Sequence, residues 1–435
     1  FGLSFGGGPA RPTAFRPPLY PWMLSFLVTD SKLSPWNTGV LHVVLAGLTT
    51  FFVFDSVARI SSRLQCDTRR FSPPKLAFLA SLVVVLDPVL LRQFTHVMTE
   101  TLATTLAAAG TWAWVRWCHR VNQQPFGSAV VWSLIVGATL ALAYLCRPTF
   151  LVWAILLVST SLLVARGSRR WKACAAMGLL VAVSVLGWTL RNQRAVGDPI
   201  WATSHGGYTL LLANNESFYD YLETGSWGEA WDATEFLEAY THRYEADPRE
   251  KAFWIRDWES SVDAEVNIKG DRKPADRNPA DRNPADGKPA DSELADSGTV
   301  SRGTVGQVTE SVITEKSDDR LCYESAIATI RRRPATFVWS CVVRAGRLWS
   351  PFPHDVSSRS KVVLLAVGLV YLVLFAICTV SIARHRSQLF QPVWWSGWLL
   401  AFSLTGIHAV YWSNMRMRAP MVPAIAMIAV FALVP

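Results

Sequence analysis

Six ionisable side chains interrupt apolar stretches of this chain, and their order points to a single reactive face. Glu100 stands in THVMTETLA, Arg147 in AYLCRPTF and Arg191 in GWTLRNQRAVGDP. Arg416 and Arg418 stand in SNMRMRAPMVP, and Arg16 precedes two prolines in AFRPPLYPWM. Guanidinium forks bind phosphate oxygens two at a time and keep their charge when partly dehydrated. A carboxylate beside them can take the proton of an attacking hydroxyl or orient the acceptor. Arginine also stabilises the charge that gathers on a departing phosphate. The set suits displacement of a phosphate held at a membrane–water interface with its tail in the bilayer. Each residue also has a plainer reading. An arginine at a helix end snorkels to lipid head groups, and Glu100 could be no more than an acidic residue at a helix N-terminus. Asp87, in VLDPVLL, reads as a solvated carboxylate in a proline kink, and His96, one turn before Glu100, as a structural histidine.

The elements that must position these residues are membrane spans. Of the 435 residues, 51% are apolar and 17% are charged, and mean hydropathy is +0.22. Apolar runs near the roughly 20 residues that cross a bilayer fall at 39–58, 75–92, 99–117, 128–146, 148–166, 172–190, 361–383, 393–411 and 417–434. The expected fold is therefore an all-α polytopic membrane protein with about nine transmembrane helices. The net charge of +9 does not indicate a nucleic-acid partner, because the basic residues cluster by loop. Arg59, Arg63, Arg69, Arg70 and Lys75 flank one loop, and Arg116 with Arg120 mark the next on that side. Arg166, Arg169, Arg170 and Lys172 mark another, and Arg384 with Arg386 the last. With alternating spans these share one face, which the positive-inside rule makes cytoplasmic, and the expected location is the plasma (inner) membrane. All six candidate residues then face the external or periplasmic side.

Four segments follow along the chain. Residues 1–36 form an external loop with an interfacial helix at 18–29, whose prolines suit a first turn. Residues 37–190 hold about six spans, 191–360 a large external loop domain, and 361–435 about three more spans. Within the loop domain, apolar residues at helical spacing predict short amphipathic helices at 234–246 and 323–333. Between them lies DRKPADRNPADRNPADGKPADSELAD, a five-residue repeat from Asp271 to Asp296. Its proline and charge leave nothing to bury, so a disordered insertion is expected over about 262–318. The seven cysteines form no CxxC pair. Cys322 and Cys341 could pair in the loop, and no metal-ligand spacing is present.

Five motifs, in order along nearly the whole chain, resemble the integral-membrane glycosyltransferases of the GT-C superfamily, and most of all the bacterial relatives of protein O-mannosyltransferases and aminoarabinose transferases. FRPPLYPWMLSFL is similar to that family's R-x-P-L-Y-P segment, and THVMTETLATTL to its second external turn. LAYLCRPTFLVW is similar to its L-x-R-P turn, and HAVYWSNMRMRAPMVPAIA to its R-x-R-x-P segment before a late span. GWTLRNQRAVGDPIWATSHGGYTLLLANNES matches W-x-x-R-N, a Gly-Gly pair and Asn-Asn.

The resemblance implies a polyprenyl-phosphate sugar donor and inverting transfer on the external face to an acceptor glycan, lipid or protein. Glu100 would be the family's second acidic position, counted as catalytic. Arg191, Arg416 and Arg418, with Arg147 near the same cavity, would bind the donor phosphate. Arg16 and Tyr20 would line the site entry, while Gly206, Gly207, Asn214 and Asn215 would shape a loop turn. No cofactor is implied, and family members differ over a divalent metal. The family's usual catalytic base is an aspartate in the first external loop. Residues 1–36 hold only Asp30, after the R-P-P-L-Y-P segment, so the first span and that aspartate are expected ahead of Phe1. Two rival readings stand beside this one. A ligase or polymerase of lipid-linked oligosaccharides would not need Glu100. A non-catalytic lipid binder or transporter would favour charges at the bilayer midplane, whereas those here collect at one interface.

Overall fold

The computed structural model describes residues 12–29, 32–63, 72–123, 126–225, 231–244, 314–353 and 361–434. Asp30 and the repeat at 271–296 lie outside them. Helix α1 (Leu19–Ser25) follows Pro17 and Pro18 and is shorter than the expected 18–29 segment, because residues 28–29 form a strand instead. This strand, β1 (Val28–Thr29), pairs antiparallel with β2 (Lys32–Leu33). The hairpin is the one departure from an all-helical chain among the described residues.

The next helices are α2 (Pro35–Arg63), α3 (Pro73–Val85), α4 (Pro88–Gln93), α5 (Glu100–Arg120), α6 (Phe126–Cys146), α7 (Phe150–Val164) and α8 (Arg169–Ala195). The apolar run at 75–92 is therefore two helices. Pro88 has no N–H and disfavours helical geometry in the residue before it. Asp87 is accordingly extended, and its Oδ1 accepts the Leu90 N–H at 3.0 Å, capping α4. Helix α8 begins earlier and ends later than the expected 172–190 span, stopping before Gly197, whose φ of +91° suits a glycine after a helix.

Four short helices follow: α9 (Gly206–Ala213), α10 (Glu216–Thr224), α11 (Thr234–Thr241) and α12 (Glu315–Arg332). The chain then continues through α13 (Pro334–Trp349), α14 (Lys361–Leu389), α15 (Trp395–Val410) and α16 (Val422–Val430), with a 3-10 turn at Met415–Met421 before α16. Six helical segments among the described residues are long and apolar enough to cross a membrane. The chain is thus a multi-pass α-helical membrane protein. Helices α3 and α7 are apolar but shorter, at 13 and 15 residues.

The chain divides into two units, residues 16–203 with 338–435 and residues 1–15 with 204–337. In the first, α5 packs against α2, α6, α15, α16 and the Met415–Met421 turn, and is buried on nearly every side. Its Ala and Gly residues permit that close approach. At Gly110 an added Cβ would lie 2.6 Å from the Trp153 ring. Polar atoms at this depth need partners within the protein. The indoles of Trp114, Trp117 and Trp153 accordingly donate to Pro392 O (2.8 Å), Ser133 Oγ (2.9 Å) and Ser396 O (3.0 Å).

In the second unit, α9 packs against α12. Gly206 and Gly207 allow the contact, since a Cβ on Gly207 would collide with the Asp319 carbonyl oxygen. The Gly207 N–H donates to Asp319 Oδ1 at 2.6 Å, and burial raises the Asp319 carboxyl to about 6. Arg333 joins Glu216, Asp220 and Glu223, holding α10. Helix α12 starts on a capping box of Thr314 and Ser317. Residues 314–318, expected within the disordered insertion, are thus its cap and first turn. Cys322 and Cys341 are both free thiols. Asn215 caps α10, and its amide donates to Leu211 O and Leu212 O, so it serves the loop turn.

Candidate functional site

The first unit brings together Glu100, Arg147, Arg416, Arg16 and Tyr20. Glu100 opens α5 and is buried, with 3% of its surface exposed. Its Oε1 lies 2.9 Å from Arg147 Nη2 and 3.6 Å from Arg416 Nε. Its Oε2 is buried and has no hydrogen-bond partner among the described residues, and the same holds for Arg416 Nε. A carboxylate oxygen deprived of both water and donors is costly, so this arrangement has binding capacity in reserve.

Local structure explains why these side chains meet. Arg147 follows the end of α6, ahead of Pro148, and its Nε donates to Thr99 Oγ1 at 2.8 Å, the residue before Glu100. Arg416 lies in the 3-10 turn, where Pro420 and Pro423 hinder regular α-helix formation. Its Nη1 reaches Met98 Sδ at 3.4 Å. Arg16 lies within electrostatic range of all three. Desolvation by surrounding atoms, then the like charge of Arg147, lowers its guanidinium from the usual range; Arg416 adds to this and Glu100 opposes it.

Tyr20 is 4% exposed. Burial and the charge of Glu100 push its phenol upward. Its hydroxyl lies 2.9 Å from His42 Nε2, and His42 Nδ1 lies 2.9 Å from Phe94 O. A carbonyl can only accept, so Nδ1 carries a hydrogen. In the neutral imidazole Nε2 therefore accepts the Tyr20 O–H.

Arg418 is placed in a different cluster. It is fully buried, and its Nη1 donates to the carbonyls of Leu348 (3.1 Å) and Ser350 (2.9 Å). The guanidinium lies over the Tyr371 ring, 4.2 Å from the centroid. The Tyr371 hydroxyl in turn sits 2.9 and 2.8 Å from the two oxygens of Asp87. Asp87 is thus not solvated, as its sequence position suggested, but 3% exposed. The proline break turns its carboxylate inward, where the helix cap and Tyr371 satisfy it. Arg191, near the C-terminal end of α8, donates to Asn192 Oδ1 at 2.9 Å and lies over Trp188. His96 is exposed and contacts Arg92 O and Thr95.

Three participants escaped the sequence reading: His42, Tyr371 and Asp55. Asp55 belongs to α2, and its Oδ2 accepts from Arg59 Nε (2.8 Å), Trp112 Nε1 (2.8 Å) and both Nε (3.0 Å) and Nη2 (2.8 Å) of Arg116. Its four-residue spacing from Arg59 was the available signal. Among the described residues no group of three His, Cys, Asp or Glu is arranged to hold a metal ion.

No family model matches the sequence, and no curated protein matches it. Among solved structures the chain is similar to ArnT from Cupriavidus metallidurans bound to undecaprenyl phosphate, with 14% identity over 98% of this chain and 69% of that one, and a TM-score of 0.37. At that degree of likeness the residues of this chain carry the functional reading on their own.

Proposed function

We propose that the chain is a membrane glycosyltransferase that moves a sugar from a polyprenyl-phosphate donor to an acceptor on the external face. The observation that supports it best is Glu100, a buried carboxylate with one unpartnered oxygen beside Arg147, Arg416 and Arg16. In this reading the acceptor hydroxyl or amine gives its proton to a carboxylate as its heteroatom attacks the sugar C1. The bond from C1 to the phosphate oxygen breaks with inversion, and the polyprenyl phosphate departs with the electron pair. Arg147 and Arg416 hold that phosphate, and their fixed charge favours the leaving group. Arg16 and Tyr20 stand at the entry. Arg418 acts by holding the turn that carries Arg416, while Arg191 joins the phosphate-binding set on sequence grounds.

The test is transfer of labelled sugar from a polyprenyl-phosphate donor by the protein in its native membrane. Glu100→Gln is expected to lose transfer, by about 10²–10⁴-fold, with membrane insertion unchanged. Full activity in that variant would overturn the assignment of Glu100.

A further inference from the structure

A second basic cluster lies at the far end of α5. The 21 residues of that helix rise by about 30 Å, comparable to the thickness of a bilayer's hydrocarbon core, so this cluster lies about that far along the helix from Glu100. Arg59 and Arg63 come from the last turns of α2, and Arg116 and Arg120 from the last turns of α5. Arg59, Arg63 and Arg116 all act electrostatically on Arg120. The one carboxylate within the cluster, Asp55, has its Oδ2 engaged by Arg59, Arg116 and Trp112. Four positive charges therefore face one negative charge among the described residues.

Two of these arginines are held without a carboxylate. Arg120 lies over the Trp132 ring, 4.8 Å from its centroid, which orients the guanidinium and leaves its N–H edge for an anion. Arg63 Nη2 donates to His119 O at 3.3 Å, in the last turn of α5. Along α2 and α6, exposed Phe51, Phe54 and Val131 lie further into the span than the arginines and are apolar. A ligand matching both features is anionic at one end and apolar at the other.

We propose that Arg63 and Arg120 bind the phosphodiester head group of an anionic membrane lipid, whose acyl chains run into the bilayer alongside α2 and α6. Charge-assisted forks suit a phosphodiester, and basic pockets between spans are a recognised place for such head groups. The site is separate from Glu100 and does not depend on the glycosyltransferase reading.

The experiment measures thermal stability and lipid binding of the full chain in nanodiscs of phosphatidylcholine with or without phosphatidylglycerol. Phosphatidylglycerol is expected to raise the melting temperature, less so at high salt. Glu100→Gln should keep that response. Arg63→Gln and Arg120→Gln should each weaken phosphatidylglycerol binding about tenfold, the loss of one charge-assisted bond. Arg63→Lys and Arg120→Lys, which keep charge and fold but lose the fork, should bind less tightly than wild type. An equal response to phosphatidylcholine alone would overturn the proposal. So would an equal response to inorganic phosphate, which would make the ligand soluble. Unchanged binding in both glutamine variants, or in both lysine variants where the glutamine forms fail to fold, would also overturn it.

Discussion

Glu100 and Asp55 are carboxylates among arginines at opposite ends of α5, and of the two only Glu100 buries an oxygen without a partner. Asp55 Oδ2 accepts four donors, and the side chain keeps 19% of its surface exposed. Glu100 is 3% exposed, yet its Oε2 has no partner among the described residues. Folding alone favours the first arrangement, because an unsatisfied buried oxygen costs free energy that a donor would recover. The second is suited to a ligand that supplies the missing donor. Burial of an unpartnered oxygen, rather than charge or the number of nearby arginines, separates the carboxylate that holds helices together from the one proposed to meet a ligand.

The largest test of this contrast is Asp55→Asn measured beside Glu100→Gln. Asp55→Asn should keep transfer within a factor of a few and lower stability by about 1–3 kcal/mol, while Glu100→Gln loses transfer. Lost transfer with unchanged stability in Asp55→Asn would reverse the roles. Next comes the pair Arg416 and Arg418. Arg418→Ala leaves buried carbonyls and the Asp87–Tyr371 pair without their cation. It should cost about 3–5 kcal/mol, and abolish transfer by loosening the turn while membrane insertion persists. Arg416→Ala should reduce kcat/KM with a melting temperature near wild type; a large melting shift would class Arg416 with Arg418.

The smallest effect concerns a third carboxylate, Asp319, which one backbone N–H partly satisfies. Its folded value of about 6 lies above the ordinary 3.8, so between those values the folded state holds a proton that the unfolded state releases. Stability from this group is complete below pH 3.8 and declines as pH rises toward 6. Asp319→Asn should remove that slope from the melting temperature of the full chain. An unaltered slope would assign it to other groups.

Much of the helical plan was legible because span length is set by the bilayer. The approach of Glu100, Arg147, Arg416 and Arg16 was legible because alternating spans place those turns on one side. Arg418 was less so. In a 3-10 turn successive residues rotate by about 120°, so side chains two apart point in different directions, and R-x-R does not make a pair. His42 and Tyr371 were hidden for another reason. Tyr20 is 22 residues from His42, and Asp87 is 284 from Tyr371, separations at which local periodicity carries no information. Asp55 was accessible from Arg59 but looked like an ordinary helix-surface pair, since its bonds to α5 appear only in the packed bundle.

Under the proposed function, the link from Phe94 through His42 to Tyr20 bears on ligand choice. Tyr20 has one hydrogen, and a neutral His42 ring that donates from Nδ1 to Phe94 O claims it. Toward a ligand the phenol oxygen then offers lone pairs alone. A sugar or acceptor hydroxyl meets it as a donor and is welcomed, whereas an ether or carbonyl oxygen at the same spot meets repulsion. The histidine thus gives a symmetric-looking phenol a fixed polarity, and the proposed entry would then favour free hydroxyls over their methylated or oxidised counterparts.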